Sequence, residues 1–124
     1  MQTRISDCPI DGAMTLLSGR WRALIVYYLS QGPMRFNELR RANQGISQQM
    51  LTRELRALEA AKVISRTVHP EVPPRVEYRL TAAGRRLMPI IDDLADWWES
   101  LQAGAAGAGQ SRLSARGEPL RQTG

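Results

Sequence analysis

The chain has 124 residues, enough for one domain whose core needs no disulfide staples, and its 43% hydrophobic and 23% charged residues are an ordinary globular composition. No apolar run approaches the ~18 residues of a membrane span, the opening MQTRISDCPIDGA lacks the apolar stretch of a secretion signal, and one cysteine cannot form an internal disulfide. These features exclude a membrane-spanning or disulfide-stapled class and point to a reducing cytoplasm; a net charge of +5 and a pI near 10.3 point to an anionic partner.

Pro9 suits the first position of a helix, with Asp7 or Cys8 just before it. That helix should run to about Leu17, where Gly19 offers a left-handed stop. The next, WRALIVYYLSQ, is apolar nearly all round and is expected to be the central, most buried helix, ended by Gly32 and Pro33. MRF reads as a short extended piece before a third helix, NELRRA, capped by Asn37. NQG turns the chain, and Ser47 caps a fourth helix from Gln48 to about Ala61, whose Leu51, Leu55 and Leu58 share one buried face.

A β-hairpin follows. VISRTV is rich in β-formers, and in RVEYRL Val76, Tyr78 and Leu80 alternate with Arg75, Glu77 and Arg79, giving one buried and one exposed face. Pro70, Pro73 and Pro74 between the strands exclude a tight turn and predict a stiff, protruding tip. Thr81 caps a long last helix that Pro89 should kink. From Ala103 the periodicity is lost, so the expected division is a domain over residues 1–102 and a disordered tail over residues 103–124.

A mainly α chain with helix, helix, turn, capped helix and small β-hairpin in this order predicts a winged helix-turn-helix, with a long C-terminal helix left over for dimerisation. The outward face of the fourth helix carries Gln49, Thr52, Arg53 and Arg56, amide and guanidinium groups that can reach base edges and phosphates. The alternative is a solvated amphipathic face. From Arg35 to Arg86 basic side chains outnumber acidic ones, whereas DDLADWWES near the end has none, which places the anion-binding region in the middle of the chain. All the basic residues but Lys62 are arginines, suited to bidentate contacts with guanine and phosphate.

The runs CPIDGAMTLLSGRW, GPMRFNELRRANQGISQQMLTRELRALE and HPEVPPRVEYRLTAAGRRL closely resemble the HxlR-type transcriptional regulators, from about Cys8 to Leu101. RFNELRR, GIS before the fourth helix and PEVPPRVEY in the hairpin are the most specific pieces. The resemblance implies a MarR-like, dimeric, cytoplasmic winged-helix protein that binds palindromic operators. Two positions depart from the family pattern: Arg20 stands where lysine is frequent before the tryptophan, and Arg22 where small polar residues are common after it.

Candidate contacts to double-stranded DNA are therefore Gln49, Thr52, Arg53 and Arg56 on the recognition helix, with Ser47 and Gln48 at its N-terminus, where backbone N–H groups favour a phosphate. Arg35, Arg40 and Arg41 are expected along the operator backbone. Arg75, on the hairpin tip, is expected as a protruding guanidinium for the minor groove or a phosphate, against the plainer reading of a pair with Glu71 or Glu77. Leu87, Ile90, Ile91, Leu94, Trp98 and Leu101 form one stripe of the last helix, with Trp97 at its edge; joined by Met14 and Leu17, it is expected to bury against a second copy. Cys8, with Arg4 nearby in sequence, is a candidate target for an oxidant or electrophile effector, the resemblance adding weight; the alternative is an inert thiol. No motif for a metal, cofactor or enzymatic nucleophile appears, so neither cofactor nor catalysis is expected. The rival function is a winged-helix protein-interaction module without DNA binding.

Overall fold

A computed structural model of the protein describes residues 8–106. Five helices and one hairpin follow in order: α1 Pro9–Leu16, α2 Arg22–Leu29, α3 Phe36–Ala42, α4 Gln48–Ala60, β1 Ile64–His69, β2 Arg75–Leu80 and α5 Ala82–Ala106. Of the described residues, 8–85 form one compact unit, and a second unit begins at Arg86 within α5.

In the first unit the core is built where apolar periodicity placed it. Ile25, Val26 and Leu29 of α2 meet Leu39 of α3, Leu51, Leu55 and Leu58 of α4, and Ile46, Val63, Ile64 and Leu80, all buried. Each such side chain removed from water stabilises by about 1.5–3 kcal/mol. α2 is the most buried of the helices, as expected, with three of its eight residues in the core, although Leu24 is exposed and Tyr27 and Tyr28 are half-buried. Its buried face packs against α3 and β2. α1 has no buried residue at all.

Two helix boundaries also differ from expectation. α2 ends at Leu29, because the Ser30, Gln31 and Gly32 N–H groups bond three residues back and tighten the last turn. α3 begins at Phe36 with Arg35 as N-cap, so Asn37 lies inside it. The Glu38 carboxylate folds back to accept the Arg35 backbone N–H at 2.8 Å, which supplies the cap from within the helix.

The strands pair antiparallel from Ile64 with Leu80 to His69 with Arg75. Met34 adds one residue to the sheet by exchanging two backbone bonds with Tyr78, at 2.9 and 2.8 Å, which ties the segment before α3 to the hairpin. The alternation in β2 is only partly realised: Leu80 is buried, whereas Val76 and Tyr78 are half-buried.

Thr81 starts α5 as expected, its Oγ1 accepting the Gly84 N–H at 3.1 Å while donating to the Lys62 carbonyl at 2.6 Å. The turn is packed so closely that a Cβ on Gly84 would lie 2.2 Å from the Val63 carbonyl oxygen. In the second unit α5 continues through Pro89, whose ring leaves the Arg85 carbonyl without its helical donor. The helix also runs past Ala103, the expected start of the tail, to Ala106, alanine being the best helix former. Residues 107–124, the rest of the expected tail, lie outside the described residues, as does Arg4.

Candidate nucleic-acid interface

The α3–turn–α4 pair is held by its turn. Asn43 is buried at the end of α3, its Nδ2 donating to the Leu39 carbonyl at 2.9 Å. The Ile46 N–H bonds to the Asn43 carbonyl at 3.1 Å, and Ile46 enters the core. Gly45 between them adopts φ +92°, open to glycine without strain. Ser47 then caps α4, its Oγ accepting the Met50 N–H at 3.0 Å.

With Leu51, Leu55 and Leu58 turned inward, the same helix presents Gln48, Gln49, Thr52, Arg53 and Arg56 around one open depression. All but the half-buried Thr52 are exposed. The Thr52 hydroxyl donates to the Gln48 carbonyl at 2.9 Å, so its oxygen is left as an acceptor toward a ligand. Arg35, Arg40, Arg41 and Ser47 are exposed as well. The sequence-predicted set on α3 and α4 is thus on one helix-turn-helix.

The wing tip differs from expectation. Arg75 is not a free, protruding guanidinium but the centre of a cluster: its Nη2 lies 2.7 Å from Glu71 and its Nη1 2.6 Å from Glu77. His69 meets the other Glu77 oxygen at 3.0 Å, and Arg79 lies 3.7 Å from it. The hydrogen bond from Arg75 holds the Glu71 carboxyl below its ordinary value, and the same contact raises Arg75. For Glu77, burial pushes the carboxyl up, but the bonds from His69 and Arg75 outweigh it and leave the value lowered. Burial raises the Tyr78 phenol. Closely spaced carboxylates at the tip make this arrangement favourable, and residue-type patterning alone could not choose between it and an outward arginine.

Cys8 is exposed at the N-cap of α1 and makes no side-chain capping bond. The two arginines at the departures from the family pattern are engaged with other partners: Arg20 stacks over the Trp21 ring at 4.7 Å, and Arg22 bonds to Glu54 and to the Leu16 carbonyl. Met14 is exposed on α1 and Leu17 half-buried after it. Ile10, 71% exposed one turn before Met14, shares its helix face at i, i+4 spacing. On α5, Ile90, Leu94, Trp97, Trp98 and Leu101 are exposed, and Leu87 and Ile91 half-buried. Among the described residues no group of acidic, His and Cys side chains could hold a metal, and no helix is long and apolar enough to cross a membrane.

This architecture, a helix-turn-helix followed by a two-stranded wing, is that of winged-helix transcriptional regulators. Residues 16–104 match the HxlR-like helix-turn-helix family, and the chain belongs to it. An HTH-type transcriptional regulator from Methanothermobacter thermautotrophicus is 46% identical over 90 residues, 73% of this chain and 69% of its own length. Among solved structures, the redox regulator HypR in its reduced form is 39% identical with a TM-score of 0.74, covering 81% of this chain and 99% of that one. A MarR-family transcriptional regulator from Enterococcus faecalis gives the same TM-score at 36% identity, covering 86% and 96%.

Proposed function

We propose that this protein is a cytoplasmic, homodimeric regulator that represses transcription by occupying a palindromic operator. The reading rests on one observation above all: the exposed face of α4 gathers Gln48, Gln49, Thr52, Arg53 and Arg56, amide, hydroxyl and guanidinium groups, with Leu51, Leu55 and Leu58 buried behind them. In a major groove Arg53 and Arg56 would donate to guanine O6 and N7 or to phosphate, and Gln49 would pair with adenine. Ser47 and the first N–H groups of α4 would hold one phosphate, and Arg35, Arg40 and Arg41 its neighbours. In this reading residues 1–102 carry the DNA-binding and dimerisation elements. The exposed stripe of α5, with Ile10, Met14 and Leu17, would bury against a second copy and space two α4 helices about one DNA turn apart.

The effector in this reading is an oxidant or electrophile acting at Cys8. Its thiol is exposed at the start of a helix assigned to the interface, and a relative of known structure is named a redox regulator. The test is binding to a duplex selected from a random pool, measured against salt. Neutralising several phosphates should give a steep fall in affinity with rising salt; a protein-interaction module would show no selected duplex and no such slope. Diamide should then release wild type and spare Cys8→Ser, and an equal response in the two proteins would remove Cys8 from the mechanism.

A further inference from the structure

We infer that Arg22 is a positioning residue for DNA binding, clasping the end of α1 to α4 and thereby fixing how α4 is presented; the inference rests on the DNA-binding reading above. Arg22 is the first residue of α2. A cation there faces the positive end of its own helix, so nothing local favours it. Its side chain instead leaves α2 in two directions. Nη1 donates to the Leu16 carbonyl at 2.9 Å, and Nε donates to Glu54 in the middle of α4.

Both ends of this clasp answer a physical need. Leu16 is the last residue of α1, where carbonyls lack helical donors and the dipole is negative, so a guanidinium is a favourable partner. The Glu54 side chain is only 13% exposed, and that of Arg22 only 21%, so the ion pair is shielded from water and salt far more than a surface pair. Glu54 stands next to Arg53 and one residue from buried Leu55, between the core stripe of α4 and its outward face. Because α1 buries no side chain, apolar packing does little to fix it, and the planar fork of Arg22 supplies directional bonds instead. A displacement of α1 would therefore reach α4 through this side chain, without Arg22 touching DNA.

The experiment compares wild type, Arg22→Gln, Glu54→Gln and the double variant on a duplex that wild type selects from a random pool, and on random duplex. Circular dichroism and light scattering verify folded dimers first. Each single variant should lose about tenfold in affinity for the selected duplex, and the double variant no more than either single, as residues of one linked unit behave. Affinity for random duplex and the salt slope should stay unchanged. Unchanged selected-duplex affinity in the single variants, or losses that multiply in the double, would overturn the clasp. So would a slope reduced by about one in Arg22→Gln, which would make Arg22 a phosphate ligand. Should Arg22→Gln fail to fold, Arg22→Lys carries the test, since an ammonium keeps the charge but cannot hold both partners with one planar fork; wild-type affinity there overturns the proposal. If wild type selects no duplex, the proposed function fails and the clasp with it. Binding by wild type with indifferent variants removes the clasp alone.

Discussion

Arg53 and Gln49 are exposed on α4, and both have the hydrogen-bonding groups to distinguish bases. Truncating either to Ala should lower discrimination between operator and random duplex by about 1–3 kcal/mol, read from anisotropy titrations on both duplexes. Equal losses on the two duplexes would reassign them to the backbone. Arg75 behaves differently because its partners are Glu71 and Glu77. Both carboxyls are held below their ordinary value of 4.5. They therefore bind fewer protons folded than unfolded, so the stability they add is present above 4.5 and is lost only as pH falls through the depressed values. Protection of the Arg75 Nε–H against solvent exchange, followed by NMR, should therefore persist at pH 4.5 and be lost only as pH falls further, through the depressed carboxyl values. Loss at a higher pH would exclude the carboxylates as its cause.

The elements differ in how much of them the sequence discloses. The fourth helix is legible almost to the residue, because a serine cap and three leucines at helical spacing leave little choice. The start of α3 is not, because its cap is a backbone N–H bonded to Glu38 rather than a capping side chain at Asn37. Gly84 illustrates a second kind of blindness: within TAAGRRL it reads as a mild helix weakener, yet a Cβ would stand 2.2 Å from the Val63 carbonyl. Gly84→Ala should destabilise the fold by about 1–3 kcal/mol, by forcing α5 away from the start of the hairpin. Urea unfolding checks this, and a gain in stability, as expected of an ordinary helical Gly→Ala change, would contradict the close approach. Among site residues the α3 and α4 set was visible as an outward face, and the pairing of Arg75 with Glu71 and Glu77 was one of two local choices that residue types could not decide, whereas the bond from Arg22 to Glu54 joins residues far apart in sequence.

At the scale of the whole molecule, the proposed dimer rests on apolar side chains left in water. Leu94 is 49% exposed and Trp98 56%, both on the long final helix. Leu94→Glu or Trp98→Glu should yield monomers or insoluble protein, because a carboxylate buried without a partner is expensive. Light scattering would detect the change, and dimers of normal mass in both variants would move the interface elsewhere. The monomers should also lose most operator affinity, since one half-site then binds alone.

The carboxylate cluster of the wing has a consequence for the molecule as a polyelectrolyte. Glu71 and Glu77 act as fixed internal counterions for Arg75. An arginine that exchanges a tethered carboxylate for a phosphate expels little dissolved salt in doing so, and it leaves two anions facing the duplex. In the proposed DNA-binding reading the hairpin would then behave as a nearly neutral outrigger, and the arginines of α3 and α4 would set the ionic-strength dependence of binding.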